Sequence, residues 1–264
     1  LIRDLDRLLL DLPRFPRLGV SRLLITGGEP TLVSGLPGLI RAARAAGFED
    51  IELQTTARRF ADPDYRATMT TPTGALPDRA FVSFYAIDLE AYQVIARVPA
   101  GLDERFAGLG ALLDLGVPVQ INFLMLRANL PELTRFVDEV HRRYGDRVRS
   151  LTFSAVAPFS LAWTHREQIP RLSELAGPLA EALDRARELG YEALIPSGCS
   201  LPRCVLPAHE AHFLSGSDDP SSASMGKSKP AACRRCRHDA TCPGVWDRYR
   251  ELYGDDELTP VSEP

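Results

Sequence analysis

The amino-acid sequence is first constrained by what it lacks. The first 198 of its 264 residues contain no cysteine, so any cysteine-based site belongs to the last quarter. No apolar run approaches the roughly 18 residues that a membrane-spanning helix needs, and no signal peptide is recognisable. Lys and Arg number 31 against 35 Asp and Glu, so the basic excess typical of nucleic-acid binding is missing. These absences predict a cytoplasmic protein with neither a membrane nor a nucleic-acid partner.

What the sequence does have is an alternation of strand-like and helical segments. Hydrophobic residues make up 45% of the chain, which is enough for a sizeable core. Strand-like apolar runs recur at 22–26, 51–55, 80–85, 118–125, 149–155 and 191–195. Helical periodicity lies between them, over 36–46, 102–115, 131–144 and 171–189. This alternation predicts parallel βα units, hence a barrel or a doubly wound sheet with ligands at the carboxyl ends of its strands.

The segment Gly27-Gly28-Glu29-Pro30 directly follows the first of these runs. Leu23 to Ile25 predict a buried parallel strand that delivers the glycines and the acid to a loop at its carboxyl end. Glycine lets the backbone turn sharply and approach a ligand closely, and proline stiffens the exit. A carboxylate in this place is suited to a cationic group such as a ligand's ammonium. An ordinary strand-to-helix turn is the alternative interpretation.

All five cysteines lie in the last quarter of the chain. Cys233-x2-Cys236-x5-Cys242 is preceded by Cys199-x4-Cys204. A two-residue gap lets both thiolates face one ion or cluster, and the third follows after a short loop. The spacing leaves a structural zinc and an iron–sulfur cluster open. A four-ligand site would take the last three cysteines and either Cys199 or Cys204.

The segments around the cysteines are predicted to be irregular. Residues 215–230 are rich in Ser, Asp, Gly and Pro, a composition typical of a mobile polar loop. His238 lies between the second and third of the clustered cysteines and is expected to be a solvent-exposed loop residue. Residues 255–264 are acidic and contain proline, and we expect them to form a flexible tail.

Together these motifs resemble the radical S-adenosylmethionine (radical SAM) superfamily. Gly27-Gly28-Glu29-Pro30 after an apolar strand is similar to the family's motif for holding the methionyl amino group of the cofactor. Thr55-Thr56-Ala57 ends the next strand, where Thr-Asn-Gly is common in the family, so any role of that glycine is in question. Ser83 resembles a serine that meets the cofactor's carboxylate or ribose. Gln120 and Asn122 point the same way along the strand that follows.

The Cys-x2-Cys-x5-Cys spacing is similar to the core of the SPASM and twitch extensions, which carry auxiliary [4Fe–4S] clusters. A full SPASM pattern would place another cysteine where Trp246 stands, so a twitch-like module with one cluster fits better. The family's Cys-x3-Cys-x2-Cys loop, which binds the catalytic [4Fe–4S] cluster, does not occur in this sequence. Because Leu1 falls within a helical pattern, we expect an amino-terminal truncation with that loop upstream. A degenerate member is the alternative.

The resemblance implies an α/β fold, a partial (β/α)6 TIM-like barrel with a small Cys-rich C-terminal extension. The expected domains are the barrel over 1–196, a SPASM/twitch-like module over 197–254 and the flexible tail over 255–264. The resemblance implies S-adenosyl-L-methionine bound by Gly27, Gly28, Glu29, Pro30, Ser83 and Asn122. It implies an auxiliary [4Fe–4S] cluster whose candidate ligands are Cys199, Cys204, Cys233, Cys236 and Cys242.

The function that the resemblance implies is radical chemistry on a peptide or small-molecule substrate, begun when a 5′-deoxyadenosyl radical abstracts hydrogen. An electron donor such as ferredoxin or flavodoxin is the expected partner. No residue of this sequence is assigned as catalytic. The alternative function is a non-catalytic binding module of the same fold, with a zinc-stabilised Cys-rich tail.

Overall fold

A computed structural model describes residues 5–70, 75–196, 198, 201–214 and 226–262. Six strands form one sheet in which spatial order follows chain order. Parallel pairing places Ile25 opposite Leu53 and Thr55 opposite Val82. The predicted α/β fold with parallel strands in a partial TIM-like barrel arrangement is confirmed. The strands are β1 (Arg22–Ile25), β2 (Asp50–Thr55), β3 (Arg79–Phe84), β4 (Val119–Met125), β5 (Val148–Ala155) and β6 (Glu192–Leu194).

Helices connect the strands. Those predicted from periodicity are present, and the helix Leu36–Ala46 ends where expected, at Gly47, whose φ of 104° provides a left-handed cap. Several helices of eight residues or fewer were not predicted, because so few residues give no clear periodicity. The helices are α1 (Leu5–Asp11), α2 (Arg14–Arg17), α3 (Leu36–Ala46), α4 (Pro63–Met69), α5 (Leu89–Ala96), α6 (Leu102–Asp114), α7 (Leu133–Tyr144), α8 (Ser160–Thr164), α9 (Leu172–Glu188) and α10 (Asp247–Tyr253). Within the described ranges, no helix is both long and apolar enough to cross a membrane.

Burial of the strands follows their place in the sheet. Every second side chain of β2, β3 and β4 is buried, as expected for strands with neighbours on both sides. β1 is the terminal strand in the sheet order. The predicted strand is therefore correct, but its predicted burial is wrong except at Ile25. Leu23 is half-buried and Leu24 is 49% exposed.

The chain divides into two compact units. The first contains β1 to β3, residues 119–122 of β4, α1 to α4 and α6. The rings of Phe84 and Phe106 lie 5.0 Å apart in its core. The second contains residues 85–97, 123–143 and the described part of 150–264. In its core, the ring of Phe136 lies 4.4 Å from that of Phe123 and 6.4 Å from that of Phe153.

The cysteine region belongs to the second unit. A two-stranded antiparallel sheet, β7 (Lys227–Ser228) and β8 (Val245–Trp246), precedes α10. Cys199 and residues 215–225 of the predicted polar loop lie outside the described residues. Of the predicted flexible tail, residues 255–262 are described, and they make backbone and side-chain contacts. The domain boundaries at 196 and 254 stay predictions.

One glycine lets α6 lie against the loop that follows β2. A Cβ added at Gly108 would lie 2.0 Å from the carbonyl oxygen of Ala57, far inside van der Waals contact. Ala57 is fully buried and has a left-handed φ of 60°. Because the added Cβ would meet buried backbone rather than a flexible side chain, the close packing in the first unit depends on the missing side chain of Gly108.

We expect Gly108→Ala to destabilise the protein by about 2 kcal/mol or more, since overpacking of a buried contact costs this much. Gly110→Ala in the same helix is the matched control. Its added Cβ would meet a ring carbon of Tyr144 at an ordinary 3.6 Å, so the variant should gain up to about 1 kcal/mol from helix propensity. Urea unfolding followed by circular dichroism measures both. Equal stability of the two variants would contradict the packing described here.

Candidate functional site

The loop after β1 is fixed by its own short-range contacts. Gly27 has a φ of 146°, which an L side chain rarely adopts. Glu29 caps the short 3₁₀ helix Pro30–Leu32 by accepting a hydrogen bond from the amide of Thr31 at 3.1 Å. Pro30 occupies the first position of this helix, where its fixed φ is favourable. The predicted turn at the carboxyl end of β1 is therefore present.

The Glu29 carboxylate joins this loop to the end of β2. Its Oε1 accepts hydrogen bonds from the Thr31 amide, the Thr31 hydroxyl at 2.7 Å and the Thr55 hydroxyl at 2.7 Å. Its Oε2 accepts from the Thr56 amide at 2.7 Å and the Thr56 hydroxyl at 2.6 Å. Five donors thus use both carboxylate oxygens. The peptide groups of Gly27 and Gly28, whose neighbourhood is open, are what the loop presents to a ligand.

These contacts decide the ionisation of Glu29. Burial alone raises the pKa of the carboxyl group. The hydrogen bonds from Thr56, Thr55 and Thr31 favour the charged form and together hold the pKa below its ordinary value of 4.5. Glu29 is therefore an anion at neutral pH, and its charge is balanced by dipoles of the loop and of β2.

The Thr55-Thr56-Ala57 segment retains a glycine-like turn without a glycine. Ala57 adopts φ 60° and ψ −9°, a left-handed conformation that glycine reaches more easily. The Thr55 hydroxyl supports the turn, because it accepts a hydrogen bond from the Ala57 amide at 3.0 Å while donating to Glu29. Alanine therefore adopts a left-handed conformation at this position, and what the family's glycine would do here stays open.

A cleft of about 500 Å³ lies against the Glu29 loop, within the size range of small-molecule sites. It is lined by Gly27 to Pro30 and by apolar residues of β1 and α3. Ser83 and Asn122 are half-buried on β3 and β4, and Gln120 shares the face of β4 with Asn122. Among the described residues, those that line this cleft do not include Ser83, Gln120 or Asn122.

A buried arginine near the end of β3 was missed from the sequence. Arg105 of α6 is only 2% exposed, and its guanidinium donates a hydrogen bond to the carbonyl oxygen of Ser83. The same guanidinium lies 5.4 Å from the centre of the Phe84 ring. Charged residues are usually placed on the solvent face of a helix, so periodicity alone gives no signal for this contact.

The second candidate site is a pocket shared by four cysteines. Cys204, Cys233, Cys236 and Cys242 line it together, so the structure brings the predicted cluster and one of its two candidate fourth ligands to one place. Burial, and then the neighbouring Cys242, Cys233 and Cys236, raise the pKa of the Cys204 thiol to about 11. A metal bound by Cys204 would therefore displace the proton of this thiol.

Backbone amides point at two of the sulfurs. The Gly244 amide lies 3.5 Å from Cys242 Sγ, and the Val261 amide lies 3.4 Å from Cys236 Sγ. His238 also lines the pocket, and its side chain is 14% exposed, so the prediction of a solvent-exposed loop residue is wrong. Its Nε2 lies 2.8 Å from a carboxylate oxygen of Glu210, which also accepts from Arg237. In the described part of the chain, no group of three or more His, Cys, Asp or Glu residues is placed to hold a metal ion.

The fold is similar to that of solved structures. Coproporphyrinogen III oxidase (HemN) from Escherichia coli, a radical SAM enzyme, matches 70% of this chain and 45% of its own with a TM-score of 0.54 and 15% identity. The chain has the fold of radical SAM enzymes. A domain of pyruvate-formate lyase-activating enzyme from Bacteroides vulgatus matches 66% of this chain and 97% of its own, with a TM-score of 0.50 and 14% identity.

Probable GTP 3′,8-cyclases are among the proteins whose sequences are similar to this chain. A probable GTP 3′,8-cyclase from Saccharolobus solfataricus is 24% identical over 202 residues, 76% of this chain and 63% of that protein. A probable GTP 3′,8-cyclase from Metallosphaera sedula is 31% identical over 121 residues, 46% of this chain and 36% of that protein. The chain thus spans less than two thirds of the length of either relative. No family model matches it.

We expect Glu29→Gln to lower the free energy of unfolding by about 1–3 kcal/mol at pH 7, because an amide leaves part of the five-donor network without an acceptor. The folded-state pKa of Glu29 is below 4.5. The stabilisation that ionised Glu29 gives the folded state is therefore complete above about pH 4.5, and it is lost as the pH falls through the folded-state pKa. The difference between wild type and variant should narrow below pH 4.5, as measured by urea unfolding at a series of pH values.

Glu49→Gln is the control for this series, since Glu49 is exposed and precedes β2 in the same unit. Its unfolding free energy should stay within about 0.5 kcal/mol of wild type at each pH. A difference for Glu29→Gln that stays constant from pH 7 to pH 3 would contradict the ionised, hydrogen-bonded state described for Glu29.

Proposed function

We propose that this chain is part of a radical SAM enzyme that modifies a small-molecule or peptide substrate. The observation that carries the proposal is the glycine loop at the end of β1, locked to β2 by Glu29 on a radical SAM fold. Gly27 and Gly28 would hold the amino group of S-adenosyl-L-methionine, with Pro30 closing the loop. Ser83 and Asn122 are proposed as further contacts of the cofactor, and Glu29 would act by fixing the loop.

The cofactor would supply, on reductive cleavage, a 5′-deoxyadenosyl radical for abstraction of hydrogen from the substrate. The residues present do not fit the catalytic cluster that this cleavage needs, since no cysteine stands before Cys199. The part assigned to this chain is therefore binding: its loop would orient the cofactor, and its apolar cleft wall would exclude water. We also propose that the protein acts in the cytoplasm. Its electrons would come from a donor such as ferredoxin or flavodoxin.

The relatives favour one of the two substrate classes. Both probable cyclases named above act, by their description, on GTP, which is a small molecule. We therefore rank a nucleoside triphosphate ahead of a peptide as the substrate. A peptide is the second substrate class to test, because it was inferred from the Cys-rich module alone.

We propose that the four-cysteine pocket holds an auxiliary [4Fe–4S] cluster, for which four thiolates are a complete ligand set. The zinc of the alternative function would take the same four thiolates. Zinc in a colourless protein with no cofactor binding would instead support the non-catalytic binding module.

Binding of S-adenosyl-L-methionine can be tested on this chain by ¹⁵N-resolved NMR titration in the millimolar range. We expect amide shifts at residues 26–30 and 54–57. Gly28→Ala should weaken binding about tenfold, or on the order of 1.4 kcal/mol, because its methyl group would enter the open side of the loop. Gly28 has no positive φ and its surroundings are open, so the substitution should not unfold the protein.

Gly38→Ala in α3 is the matched control, because its Cβ also meets open space and should leave the titration unchanged. Shifts confined to other parts of the chain, or none at saturation, would refute the proposed cofactor site. Equal binding by both alanine variants would remove Gly28 from it.

Cluster ligation is tested by anaerobic reconstitution with iron and sulfide. We expect about four iron atoms per chain and a brown absorbance near 400 nm. Cys204→Ser should lose the cluster, because Cys204 shares the pocket with the other three described cysteines. Cys199→Ser should retain it. Full iron content in Cys204→Ser together with loss in Cys199→Ser would reverse this ligand assignment.

A further inference from the structure

The last described residues of the chain cross the cysteine pocket. Leu258, Thr259 and Pro260 are part of its lining, and Leu258 is 7% exposed. The amide of the next residue, Val261, donates a hydrogen bond to Cys236 Sγ at 3.4 Å. We call residues 258–261 the strap. The sequence does not predict this place, since the strap lies in the acidic, proline-containing segment 255–264, whose composition is typical of a mobile tail.

The strap is held at both ends by contacts that involve no metal. At its far end the Arg237 amide, next to Cys236, donates to the Val261 carbonyl oxygen at 3.0 Å. Before it, Glu257 accepts a hydrogen bond from the Ser173 amide at 3.1 Å and another from the Tyr249 hydroxyl. These contacts tie the strap to the amino end of α9 and to α10. The strap is therefore part of the folded unit.

We propose that the strap controls the auxiliary cluster, setting its reduction potential through the Val261 amide and limiting access of water and chelators to it. This inference rests on the cluster of the proposed function. An N–H group directed at a ligating sulfur stabilises the more negative, reduced state and so raises the reduction potential. Val261 is in this sense a positioning residue, since its amide acts on the cluster through Cys236.

The amide is tested by Val261→Pro, which removes the N–H donor and keeps the carbonyl that Arg237 contacts. We expect a lower reduction potential in spectroelectrochemical titration, with unchanged iron content. Ser262→Pro is the matched control, because it introduces a proline one residue later, at an exposed position, and keeps the Val261 amide. Its potential should equal that of the parent chain.

The covering role is tested by chain shortening. A chain ending at Glu257 lacks the strap but keeps the anchor to Ser173 and Tyr249, and a chain ending at Ser262 is its control. We expect iron release to a chelator to be about tenfold faster without the strap, the scale at which outer-shell groups affect metal affinity. In the metal-free chain, alkylation of Cys236 should also be faster, as mapped by mass spectrometry.

The outcomes separate the two proposals. A parent chain that takes up no iron–sulfur cluster overturns both the auxiliary cluster and the strap's role. A normal cluster whose potential is unchanged by Val261→Pro overturns the role of the amide. Equal rates of iron release and of Cys236 alkylation in the two shortened chains overturn the covering role, while the auxiliary cluster stands.

Discussion

The Glu29 carboxylate is the contact on which the candidate cofactor loop depends. A carboxylate removed from water needs donors for both oxygens, and the loop and the end of β2 supply five. Because these donors come from Thr55 and Thr56, which lie 26 and 27 residues away along the chain, as well as from Thr31, the carboxylate fixes the ends of two neighbouring strands relative to one another. The open glycine peptides are thereby held in one place for a ligand.

The cysteine pocket of the second unit is likewise held in place by hydrogen bonds between segments distant in sequence. Tyr249 accepts a hydrogen bond from the Leu172 amide at 2.8 Å, and Tyr253 donates to the Ile169 carbonyl at 2.7 Å. Arg127 joins Glu174 and Tyr253 through its guanidinium. The helix that follows the cysteines is thus fixed to the start of α9. Because the backbone of this pocket is largely irregular, such side-chain contacts, rather than regular secondary structure, fix its conformation.

The fold was largely readable from the sequence, and particular residues show why. Val119, Ile121 and Phe123 are fully buried, and they belong to the apolar run over 118–125 that predicted β4. Leu24 was misplaced because burial at the edge of a sheet depends on neighbouring strands, which a local pattern does not contain. Arg105 was missed and His238 was misjudged because the partners of each lie far away in sequence. The burial of Arg105 and the partial burial of His238 are compensated by hydrogen bonds to these partners.

The sequence by itself determined the βα alternation, the glycine–acid turn and the number and spacing of the thiols, because each is a matter of residue type over a short stretch. Only the tertiary structure decided that Glu29 serves Thr55 and Thr56, that Ala57 makes a glycine-like turn beneath Gly108, and that Cys204 joins the other cysteines under the strap. The physical reason is the same in each case. Hydrogen bonds and close packing between segments far apart in sequence depend on positions that only the folded chain brings together.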